Sequence, residues 1–112
     1  MSFTSWDALP SLQLVDGVEL TPIWLEGVMA VRVRLAPGVL VPAHAHPHRQ
    51  LGTVLEGSVR FRIGDDEREL APGAVYAVPG DIEHEARAGE GGCVLIEAFG
   101  PERTDLIEKL PR

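Results

Sequence analysis

The sequence holds one cysteine, Cys93, few basic side chains, and no apolar run approaching the roughly 18 residues of a membrane-spanning helix. A lone cysteine excludes an intrachain disulfide and suits a reducing cytoplasm. No basic-then-apolar leader is read at the start, so a soluble cytoplasmic protein without a membrane partner is expected. Ten Lys and Arg face 17 Asp and Glu, giving a net charge of −7 and a pI near 5.0. That balance argues against nucleic acid or an anionic membrane surface as a partner. A small anionic ligand is compatible with it, because a bound dication and a few arginines can invert the field locally. Repeats and low-complexity segments are lacking too, and the 112 residues read as one domain, 1–112.

What is present is turn chemistry and alternation. The 12 Gly and 9 Pro fall between short apolar runs, the pattern of many strands joined by tight turns. Strands are expected at Leu12–Val15, Val18–Leu25, Val28–Leu35, Val39–Val41, Gln50–Leu55, Val59–Ile63, Glu67–Leu70, Ala74–Val78, Ile82–Ala88 and Cys93–Phe99. Glu56-Gly57 reads as a strand end, and Gly89-Glu90-Gly91-Gly92 as the last hairpin turn. A helical turn is expected at Ser5–Leu9, pinned by Trp6 and Leu9, and a helix over Glu102–Leu110 with Leu106, Ile107 and Leu110 on one face. Arg32 and Arg34 alternate with Val31, Val33 and Leu35, as the solvated face of a strand or as an anion clamp. Short, evenly delimited strands with little helix predict an all-β sandwich or barrel.

The chemistry concentrates in His44-Ala45-His46-Pro47-His48-Arg49-Gln50, with a fourth imidazole at His84. His44, His46 and Gln50 share parity, so on extended chain they converge on one face. Three imidazoles and an amide oxygen make a plausible ligand set for one divalent transition metal, nickel, zinc, manganese, iron or copper. His48 shares the parity but follows Pro47 in an expected bend, which places it at a pocket mouth or behind the metal ligands, with ligation the lesser alternative. Cys93 reads as packing, since no activating partner is evident.

These residues resemble the cupin superfamily. Its first motif, Gly-x5-His-x-His-x3-Glu-x6-Gly, is matched by Gly38, His44, His46, Gln50 and Gly57 with every spacing kept (core 38–57). Its second, Gly-x5-Pro-x-Gly-x2-His-x3-Asn, is matched by Gly73, Pro79 and His84, with Asp81 and Ala88 replacing Gly and Asn (core 73–88). The resemblance implies a double-stranded β-helix, or jelly-roll, barrel with a short C-terminal helix, a metal held by His44, His46, Gln50 and His84, and often a homodimer. Gln50 in place of Glu leaves the ligand set neutral and the ion's charge nearly undiminished, which favours polarising a carbonyl or enolate over oxygen chemistry.

A narrower likeness joins His44–Gly57 and the stretch Glu97-Ala98-Phe99-Gly100-Pro101-Glu102-Arg103 to the small cupins of pectin and alginate breakdown. Those proteins convert cyclic 4,5-unsaturated monouronates to linear keto sugars. The likeness implies Glu97 and Arg103 as catalytic residues, and Phe99, Arg103 and His48 as contacts to a sugar-acid ligand. Glu97 stands where that group more often has Asp. Plain packing for Phe99, and a rim ion pair for Glu97, are the structural alternatives. A cupin-type dioxygenase or isomerase, and a non-catalytic ligand-binding sensor, are the functional ones.

Overall fold

The computed structural model describes residues 2–111. A 3-10 turn, Trp6–Ala8, leads into eight strands: β1 (Leu12–Val15), β2 (Val18–Leu25), β3 (Val28–Leu35), β4 (Leu40–His44), β5 (Arg49–Ile63), β6 (Asp66–Leu70), β7 (Val75–Val78) and β8 (His84–Gly100). A single helical turn and a half, α1 (Thr104–Glu108), follows. All strand pairs are antiparallel. The expected all-β class is the observed one.

Two strands run the length of the barrel, and both differ from the expectation. Glu56-Gly57 does not end a strand, and Gly89–Gly92 is not a hairpin turn; β5 and β8 pass straight through them and pair with each other along their length. The glycines mark bulges instead. In β5 the inward residues are Gln50 and Val54 before the irregularity, and Val59 and Phe61 after it; in β8 they are His84, Ala86 and Ala88, then Cys93, Leu95, Glu97 and Phe99. Each strand therefore changes which parity faces the core, as an extra residue demands. Gly57 (φ 77°) and Gly92 (φ 79°) meet at this corner, where a Cβ on Gly57 would run into the Gly92 carbonyl oxygen. Only glycine fits there.

Beyond the corner the long strands take different flanking partners. On one side β3 lies along Cys93–Phe99 and β7 along Gln50–Thr53; on the other, β4 meets His84–Arg87 and β6 meets Val59–Ile63. The inward faces close over a core that includes Met29, Val31, Val33, Val54, Phe61, Val78 and Leu95. Leu106 of α1 is 1% exposed and belongs to the same core. The helix is shorter than expected because Glu102 accepts hydrogen bonds from the Gly27 N–H at the β2–β3 turn (3.1 and 3.2 Å) and Arg103 is extended. Arg32 is not solvated: the N-terminal segment covers it, and its guanidinium pairs with Asp7 at 3.0 Å.

Candidate metal centre

The antiparallel β4–β8 pairing sets His44 directly opposite His84, and the bulge between Val41 and His44 turns the β4 end inward. His44, His46 and Gln50 do converge, but not along one strand. His44 closes β4, His46 lies in the connection, and Gln50 is the second residue of β5, so a bend rather than strand parity brings them together. His44, His46 and His84 each offer a ring nitrogen, and these atoms lie within 4.8 Å of one another. The ring centroids stand 4.2 Å (His44–His84), 4.9 Å (His46–His84) and 5.7 Å (His44–His46) apart.

The backbone decides which nitrogens are available. Each Nδ1–H donates to a carbonyl two residues away: His44 to Pro42 (2.8 Å), His46 to His48 (3.1 Å) and His84 to Ile82 (2.9 Å). That fixes the proton on Nδ1 and leaves every Nε2 lone pair free, the arrangement in which imidazole binds metal. Burial holds the His46 ring down to about 4, with the charges of Arg103, His84 and His44 adding to it. Burial lowers His84 likewise, against the opposing pull of its bond to Ile82.

Gln50, buried on β5, adds a fourth group. Its Nε2 donates to Glu97 Oε2 at 2.7 Å, which leaves Oε1 as the inward acceptor. The Nε2 atoms of His46 and His84 and the Oε1 of Gln50 are all buried without a hydrogen-bond partner among the described residues. Buried polar atoms are rarely left so. Three orphaned atoms beside a third free imidazole nitrogen fit a divalent ion.

One cavity, with about 60 Å³ of room for solvent, is lined by His44, His84, Gln50, Glu97, Phe99 and Arg103 together with core side chains. Such a space holds about two waters. Residues of the last strand and the loop after it thus reach the histidine cluster, as Glu97 and Phe99 share parity on β8. The Arg103 guanidinium sits 5.2 Å from the centre of the Phe99 ring, and its Nε and Nη2 bind Asp105 at 3.3 and 2.8 Å. His48 lies in the bend outside the 4.8 Å cluster, its ring 5.5 Å from that of His46 and its Nδ1 buried without a partner among the described residues.

The cupin domain family matches residues 31–99, well over half of the sequence. The chain belongs to the cupin family. Among curated proteins it is 33% identical to the pectin degradation protein KdgF of Dickeya dadantii strain 3937, over 90% of this chain and 94% of that one. Among solved structures, KdgF from a Halomonas species superposes with a TM-score of 0.86 at 27% identity, covering 94% of this chain and 97% of the other. An RmlC-like cupin from Shewanella frigidimarina reaches 0.87 at 25% identity, covering 94% and 95%. Oxalate decarboxylase of Bacillus subtilis (0.82, 20% identity) shares the fold, this chain spanning 30% of its length.

Two residues of this cupin site are not foreseen: Tyr76, which no motif includes, and Gly52, which lies within the first motif stretch without a role assigned to it. Tyr76 on β7 donates to Glu97 Oε2 at 2.6 Å and packs on Phe61 with ring centres 4.4 Å apart and planes tilted by 33°. Gly52 pairs with Tyr76 on one side and Glu97 on the other, and a Cβ there would collide with the tyrosine ring. The signal available is slight: the single tyrosine of the chain lies at the parity of Val78, and a buried phenol needs a partner. Cys93 is buried and its thiol is pushed up to about 11 by burial, in keeping with packing.

Proposed function

We propose that this cupin is a metal-dependent enzyme that opens an unsaturated monouronate, or a similar sugar acid, to its linear keto form. The observation that carries the reading is a cavity in which imidazoles, the Gln50 amide, a buried carboxylate and a guanidinium converge. The similarity to the pectin degradation protein KdgF of Dickeya dadantii and to KdgF of a Halomonas species supports a sugar acid of pectin breakdown as the substrate class. His44, His46, Gln50 and His84 would hold one divalent transition ion, which supplies positive charge against substrate oxygens and developing negative charge.

The chain's own residues divide the rest. Glu97 is buried, and burial pushes its carboxyl up, against the hydrogen bonds from Tyr76 and Gln50 and the nearby Arg103 charge. A carboxyl so raised can give a proton to the enol ether carbon or ring oxygen and take one back. Arg103, anchored on Phe99 and Asp105, keeps Nη1 without a protein hydrogen bond among the described residues, free for a substrate carboxylate. Phe99 forms the apolar wall and shields the proton transfer from bulk water. The inner cavity is too small for a sugar ring, so the substrate sits at its open end, within reach of His48. Glu97→Ala and Arg103→Ala are expected to abolish product formation, followed by NMR, while bound metal stays near one ion per chain. Full activity in either variant removes that residue from the reaction.

A homodimer belongs to the same reading. The outward face of β3, β8, β5 and β7 presents Ala30, Ala98, Leu51, Ala77, Ile96 and Val75 in adjoining rows. Leu51 and Val75 are 61% and 77% exposed, an apolar surface suited to a second copy.

A further inference from the structure

The orientation of the Gln50 amide is not determined by Gln50 itself. An amide can present oxygen or nitrogen with nearly the same shape, and only the oxygen can ligate a cation. Its nitrogen donates to Glu97 Oε2, and that same oxygen accepts the Tyr76 hydroxyl. Glu97 accepts no other side-chain hydrogen bond among the described residues, so without Tyr76 only Gln50 itself would hold that carboxylate oxygen in place. The tyrosine reaches it because Gly52, between the two in the sheet, leaves open the space its ring crosses.

We propose that Tyr76 is a positioning residue: by fixing the Glu97 carboxylate it turns the Gln50 amide so that its oxygen faces the three histidines, and thereby sets the metal affinity of the site. The proposal rests on the metal centre described above and not on the identity of the substrate. Two donors converging on Oε2 also leave Oε1 as the oxygen of Glu97 that takes no hydrogen bond from the described residues, and so the one available to a ligand. Groups that orient a metal ligand without touching the ion typically change affinity about 10- to 100-fold when removed.

The test is a double-mutant cycle on the affinity for Co²⁺ alone, measured by chelator competition and by the visible spectrum of the cobalt-loaded protein. Tyr76→Phe keeps the ring and removes only the hydroxyl. It is expected to weaken Co²⁺ binding about 10-fold in the Gln50 protein, and by less than about twofold in a Gln50→Ala background, where there is no amide left to orient. Equal losses in both backgrounds would show general distortion of the barrel and overturn the proposal, as would no loss in the first. Absence of His44-dependent cobalt uptake by the unaltered protein would remove the metal centre and the proposal together. Should Tyr76→Phe fail to fold, Gly52→Ala, whose methyl displaces the Tyr76 ring, enters the same cycle with the same expectations.

Discussion

At the scale of single residues, the site works by removing alternatives. Three backbone carbonyls choose the tautomer of three histidines, and one carboxylate chooses the face of an amide. The cost of this preorganisation appears when no ion is present. Folded His46 stays neutral down to about 4, whereas in the unfolded chain it takes up a proton near 6.5. Between those values the unfolded state binds more protons, so the metal-free protein loses stability as pH falls from 6.5 toward 4. Thermal melts of chelator-treated protein at pH 7.5 and pH 5 check this: the midpoint is lower at pH 5, and the fall is shallower in His46→Gln. Added ion reverses the loss, since an ion at about 100 times its dissociation constant contributes about 2.7 kcal/mol to the folded state.

At the scale of strands, the ligand motif was legible and the path of the chain was not. His44, His46, Gln50 and His84 stand out because metal binding demands particular atoms at particular spacings; the fold brings the three imidazoles within 4.8 Å of one another and lines one cavity with Gln50, His44 and His84. The reason offered by strand alternation was incomplete, since the three N-terminal members straddle the bend between β4 and β5. Gly57 and Gly92 read as turns because glycine in the left-handed region serves turns and bulges alike; cross-strand contacts, invisible in one sequence, decide between them. The Arg32 error has the same origin, as its partner Asp7 lies 25 residues away in the lead-in segment. A contrast of two glycines tests the bulge assignment. Gly38, at φ 69° with nothing near a built Cβ, should lose about 1 kcal/mol on change to Ala, the cost of strained backbone alone. Gly57→Ala adds the collision with the Gly92 carbonyl and should lose on the order of 3 kcal/mol in urea unfolding. Equal losses would mean that the corner yields.

At the scale of the whole molecule, the cupin barrel was foreseen from its two motifs, and the residues after the last strand complete the cavity that the motifs begin. No helix among the described residues is long and apolar enough to cross a membrane. The apolar sheet face around Leu51 and Val75 predicts a solution mass twice the 12.1 kDa chain by light scattering, falling to a single chain in Leu51→Glu. The reaction itself is best reached by ultraviolet absorbance. Metal-loaded protein is mixed with a 4,5-unsaturated monouronate, and loss of the conjugated double bond is followed beside a His44→Ala, His46→Ala control. Rapid decay with the unaltered protein and a control near the spontaneous rate is the expected outcome. Two superimposable decays would leave a cupin metal centre whose substrate is not an unsaturated uronate.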